Sequence, residues 1–174
     1  MPALLFVCQG NPVPHESRLA RELRSLLSSK RIAAMGTSGD DGAPFVSMVP
    51  YAVAPGLRCL VIHVSGLAAH TRNLQARPAV SLLVMQSEVP GEPVHALPRV
   101  TLEGQARVLE PNSPAWNACR AAYLSRFPEA EPMTQLGDFM FAAIEVTSAR
   151  QVSGFGAARS IDQEELRRVL GPAD

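Results

Sequence analysis

The residues best equipped for chemistry stand together in Ser65-Gly-Leu-Ala-Ala-His70-Thr-Arg-Asn73. A hydroxyl closes an apolar, β-branched run, a helix start follows, and His70, Thr71, Arg72 and Asn73 then fall within one helical turn. Free amides at a helix N-terminus, backed by a guanidinium, attract an anion through the helix dipole and charge-assisted hydrogen bonds. The cluster is the size of a phosphate. Taken alone, the same pattern also suits an arginine that only solvates a helix face.

Other chemistry finds less support. Gly154-Phe-Gly-Ala-Ala-Arg159 imitates a dinucleotide fingerprint, but Arg159 stands where the third glycine belongs and no later strand completes a βαβ unit. A glycine turn that lets the chain leave a packed body explains it better. There is no G-x-S-x-G elbow and no H-E-x-x-H, and His15, His63, His70 and His95 are scattered, so no metal site is expected. Cys8, Cys59 and Cys119 have no paired spacing for zinc or a redox CxxC, which fits a reducing, cytoplasmic setting. The 16 basic residues include a single lysine, Lys30, so Schiff-base chemistry is disfavoured. Net charge is zero and aromatics are 5% of the chain, which argues against nucleic acid as a partner. No apolar run approaches the roughly 20 residues of a membrane helix, so no membrane partner is expected either.

The elements that must position the cluster can be read from periodicity. Leu19, Leu23, Leu26 and Leu27 form one face of a helix between Glu16 and Lys30. Residues 32–38 and 44–54 flank the turn Gly39-Asp-Asp-Gly42 and read as a hairpin, with a third strand over 57–65. Helical character over 66–77 stops at Pro78, before a buried strand over 79–85 and a proline-rich loop to Pro98. From Arg99 to Val108 apolar and polar residues alternate strictly. Ser113-Pro114 starts a helix toward Phe127, residues 138–152 form a long last strand, and Ser160 with Gln163 suggests a capping box for a terminal helix. The expected fold is mainly β (α+β): a six-stranded antiparallel split barrel with peripheral helices. The expected organisation is an arm over 1–15, the barrel domain over 16–161, and a helix and tail over 162–174.

The ordered set Ile32 to Ser38, Asp41-Gly-Ala-Pro44, Ser47-Met-Val-Pro-Tyr51, Ser65 to Asn73, Val80-Ser-Leu-Leu83, Arg99 to Gly104 and Gly154-Phe-Gly156 resembles the pyridoxamine-phosphate-oxidase-like FMN-binding split barrels. Arg99-Val-Thr-Leu-Glu-Gly104 and the Gly-Phe-Gly ending are most similar to the haem-utilisation branch. The resemblance implies a homodimer with FMN at the subunit interface. Ser47, Met48, Val49, Pro50 and Tyr51 would border the isoalloxazine ring, while Ser65, His70, Thr71, Arg72 and Asn73 would surround the phosphate. Arg99 would reach the flavin from the partner subunit.

Two departures stand out: Ser47 replaces a basic residue, and His70 replaces a lysine common in the phosphate segment. They argue against the named oxidase activity. The resulting expectation is an FMN-dependent oxidoreductase acting on a small-molecule substrate, with no catalytic side chain assigned. Haem binding on the same barrel is the alternative, ranked second because relatives in that branch often carry a further C-terminal domain. A flavin-binding module without turnover is a third reading.

Overall fold

The computed structural model describes residues 16–172. The expected N-terminal arm lies outside them.

Chain order is α1 (Arg18–Ser29), β1 (Ile32–Ser38), β2 (Pro44–Ala54), β3 (Cys59–Ser65), α2 (Ala69–Ala76), β4 (Ala79–Met85), β5 (Arg99–Val108), α3 (Pro114–Arg126), β6 (Phe139–Val152), β7 (Ala158–Ile161) and α4 (Gln163–Leu170). Short 3-10 turns cover Val94–Ala96 and Pro128–Gln135. The sheet order is β3-β2-β1-β4-β5-β6-β7, and a β3–β6 pairing closes the first six strands into an antiparallel barrel.

The seventh strand lies outside the ring. It was not foreseen, because four residues are too few to show a period. Gly156, at φ +73°, supports the turn that folds β7 back on β6. Pairing of Ser160 with Arg150 takes that serine into the sheet, so the expected Ser160 cap is replaced by Asp162, whose side chain accepts from Glu165 N at 2.8 Å.

Alternation on each strand sorts residues between two cores. Met35, Val49, Tyr51, Leu60, Ile62, Leu82, Leu102 and Ile144 fill the barrel, where they join Leu23 and Leu27 of α1 and Leu166 and Val169 of α4. Opposite parity sends Ala52, Cys59, Val61, Phe141 and Ala143 outward against Cys119, Tyr123 and Phe127 of α3. Tyr51 ties the layers together: its hydroxyl donates to Leu27 O at 2.9 Å, and the Arg126 guanidinium lies 5.2 Å from its ring centre. Arg126 also donates to Leu27 O and Lys30 O, satisfying carbonyls at the C-terminus of α1.

Where β5 meets β6 the register shifts between Glu103 and Gly104. A Cβ on Gly104 would stand 2.3 Å from Glu145 O, so only glycine permits this approach.

Candidate functional site

α2 sits at the end of β3, where the strand's last residue, Ser65, pairs with Phe139 of β6. That register brings Asp138 beside the turn. Gly66 N donates to Asp138 O at 2.6 Å and Ser65 Oγ donates to Asp138 Oδ2 at 2.8 Å. Ser65 Oγ also accepts from Leu67 N at 3.2 Å. Thr71 is fully buried and donates to Ser65 O at 2.7 Å. Asn73 donates to Thr37 Oγ1 at 3.0 Å, and Arg72, exposed, donates one N–H to Leu67 O at 2.9 Å.

His70 is half-buried, and desolvation holds its imidazole below the ordinary histidine range, so it is neutral near pH 7. The structure therefore brings all five residues of the cluster onto one turn and helix start. α2 has no side-chain cap at Ala68. Asp138 was missed in the sequence because only the β3–β6 register reveals its position.

The second predicted group divides by strand parity. Ser47, Val49 and Tyr51 share the inward side of β2, with Val49 and Tyr51 buried in the core. Ser47 Oγ is buried without a hydrogen-bond partner among the described residues. Met48 and Pro50 lie on the outer side. Toward a ligand on that side, Ser47, Val49 and Tyr51 can offer only backbone.

The outer side is the feature that periodicity alone did not reveal. Val46 is 66% exposed, Met48 62% and Ile32 53%. Registers place Met48 beside Ala34, Ala34 beside Leu83, and Met85 beside Arg99. An apolar face thus runs across β2, β1 and β4 and ends at a guanidinium. Arg99 Nη1 donates to Leu97 O at 3.0 Å and approaches His95 O at 3.5 Å, which brings the exposed His95 to the same rim. Contiguous exposed apolar surface on a folded domain marks a contact site.

On the other side of β3, His63 is buried among Phe141 (4.5 Å between ring centres), Phe139 (5.1 Å) and Tyr123 (5.8 Å). Burial lowers its pKa, so it is a neutral packing residue near pH 7. Among the described residues no group of three potential metal ligands converges.

Residues 19–168, most of the chain, match the family described as pyridoxamine 5'-phosphate oxidase. The chain belongs to the pyridoxamine 5'-phosphate oxidase family. Within this family it sits with the haem-utilisation branch. It is 28% identical over 153 residues to heme oxygenase HutZ of Vibrio cholerae, covering 87% of this chain and 85% of that protein. It is 36% identical over 152 residues to the non-canonical heme oxygenase HOZ, chloroplastic, of Arabidopsis thaliana, covering 83% of this chain and 44% of that protein. A solved heme binding protein from Mycobacterium smegmatis superposes with a TM-score of 0.77 at 30% identity, over 87% of this chain and 60% of that one. The chain thus spans about half the length of the plant and mycobacterial relatives. No helix among the described residues is long and apolar enough to cross a membrane.

Proposed function

We propose that this protein binds haem as a homodimer, using the outer face of β1, β2 and β4. The observation that carries this reading is the exposed apolar face through Val46, Met48 and Ile32, rimmed by Arg99 and His95. A flat macrocycle needs apolar walls, a cation for its carboxylates and an axial donor. Residues of these kinds adjoin here. Met48 and Ile32 would supply one wall, a second copy of the chain the other, Arg99 would pair with a carboxylate and His95 would ligate iron. The names of the Vibrio, Arabidopsis and mycobacterial relatives support the same ligand, reversing the order expected from the sequence.

Haem, when bound, supplies an iron centre at which oxygen chemistry can occur. The chain's own part is to bind, orient and shield the ring. The two relatives named as heme oxygenases extend the reading to haem degradation. The deciding experiment is titration of the purified protein with haem. A saturable Soret band that shifts in His95→Ala supports the site, and its decay on adding reductant and oxygen supports degradation. Absence of saturable binding would overturn the proposal.

FMN is the second reading, favoured by the uncapped start of α2 beside Arg72. Against it stands Asp138, a carboxylate bonded to Ser65 where a phosphate would sit. Thr71 and Asn73 are also engaged within the chain. An oxidoreductase acting on a small-molecule substrate belongs to this reading, and flavin bands in the freshly purified protein would promote it.

A further inference from the structure

Two of the cysteines, separated by 60 positions in sequence, meet beneath α3. Cys59 opens β3 and points to its outer side; Cys119 lies on the buried face of α3. Both are free thiols buried in the same packed cluster, and each is the first influence on the other's ionisation. On the α3 side their surroundings are apolar, through Val61, Phe141 and Tyr123. Two thiols packed as simple hydrophobes need no charge beside them, yet Arg107 favours the thiolate of each, while Glu145 on the same cleft wall opposes it at Cys59. The Arg107 side chain makes no ion pair or hydrogen bond among the described residues. Cys59 and Arg107 also line one open cleft of about 680 Å³ on the outer wall between β3, β5, β6 and α4. The cleft gives a small oxidant a path to a sulfur that is otherwise buried.

We propose that Cys59 and Cys119 form a redox-active dithiol, converted by hydroperoxides to an intramolecular disulfide that staples α3 to the barrel. Proximity of the two thiols holds Cys119 below its ordinary range and, together with burial and the Glu145 carboxylate, holds Cys59 above its own. Loss of one proton therefore leaves a negative charge on the pair, with the remaining proton on Cys59. Transfer of that proton to Cys119 makes the cleft-facing Cys59 the nucleophile. Its sulfur attacks one peroxide oxygen, the S–O bond forms, the O–O bond breaks, and hydroxide leaves to take up a proton as water. Cys119 sulfur then displaces hydroxide from the Cys59 sulfenic acid, giving the S–S bond and a second water. Two thiols and one hydrogen peroxide thus yield one disulfide and two waters, the sulfurs losing the two electrons that the peroxide gains. The partner thiol is already in contact, so the sulfenic acid is captured before further oxidation.

The test uses the full chain carrying Cys8→Ser, reduced, freed of reductant and exposed to hydrogen peroxide alongside a glutathione control. Alkylation and peptide mapping without reductant should recover one species joining the peptides that contain residues 59 and 119. Its mass should be lower by two hydrogens, and dithiothreitol should reverse it. The melting temperature should rise on oxidation. In Arg107→Gln, which removes an exposed side chain outside the cores, cross-linking should slow by roughly threefold or more as the thiolate fraction falls. Cys119→Ser should give oxidised Cys59 without a cross-link. Both thiols remaining free under peroxide that consumes the glutathione would overturn the proposal. Irreversible oxidation of one cysteine in the unaltered pair, or cross-links only between chains, would overturn it equally. These readouts are made on the Cys59 and Cys119 pair itself, so they stand even if a cysteine variant fails to fold.

Discussion

Ser65 Oγ donates to Asp138 Oδ2 at 2.8 Å, so the hydroxyl that heads the α2 turn is tied to a carboxylate from the start of β6. That pairing places negative charge where the α2 amides and Arg72 would otherwise favour an anion. Asp138→Asn should therefore tighten FMN by roughly fivefold, about 1 kcal/mol for an exposed charge at this range, without changing riboflavin. Arg72→Ala should weaken FMN by about one to two orders of magnitude and also spare riboflavin. Parallel titrations of both ligands provide the check. Equal changes for the two would show that no phosphate is recognised here.

The outer face of β2 invites a second test. Met48 is 62% exposed, so Met48→Glu should leave the circular dichroism spectrum and melting temperature nearly unchanged. If that face joins two copies, the same change should shift sedimentation from dimer to monomer. A variant that stays dimeric would move the interface elsewhere on the barrel.

Gly104→Ala has a purely backbone cause. The new methyl would meet Glu145 O at 2.3 Å, within the β5–β6 pairing, and neither strand can yield cheaply. A loss of roughly 2 kcal/mol or more is expected from urea denaturation, comparable with other forced overpacking.

Alkaline pH should unfold the protein through its tyrosines. Burial pushes the Tyr51 hydroxyl up to about 12, and burial also pushes that of Tyr123 to about 12. An unfolded tyrosine ionises near pH 10. The unfolded state thus releases protons first: stability from these groups is intact below pH ~10 and is lost as pH rises toward ~12. The chain has 2 tyrosines, both buried, so tyrosinate absorbance should rise in one cooperative step together with loss of circular dichroism. An independent titration near pH 10 with the fold intact would contradict their burial. Tyr51→Phe, which removes the bond to Leu27 O, should cost about 1 kcal/mol at neutral pH.

Much of this molecule was legible in one dimension because local chemistry sets local structure. Alternation over Arg99 to Val108 determined both a strand and its buried side, since successive residues must face opposite ways. Ser113-Pro114 determined a helix start, with Ser113 Oγ accepting from Trp116 N as a cap should. The Ser65 to Asn73 run determined that a polar cluster would sit at a strand-to-helix junction. What the tertiary structure alone decided depends on which strands become neighbours. The β3–β6 register brought Asp138 to Ser65, 73 positions away, and changed the charge of the predicted anion site. Packing of β2 in the barrel sent Tyr51 inward and Met48 outward, because residues an odd number of positions apart on a strand face opposite sides. Cys59 and Cys119, unrelated by any motif spacing, became partners only when α3 folded across β3, since contact between thiols is set by packing in space and not by distance along the chain.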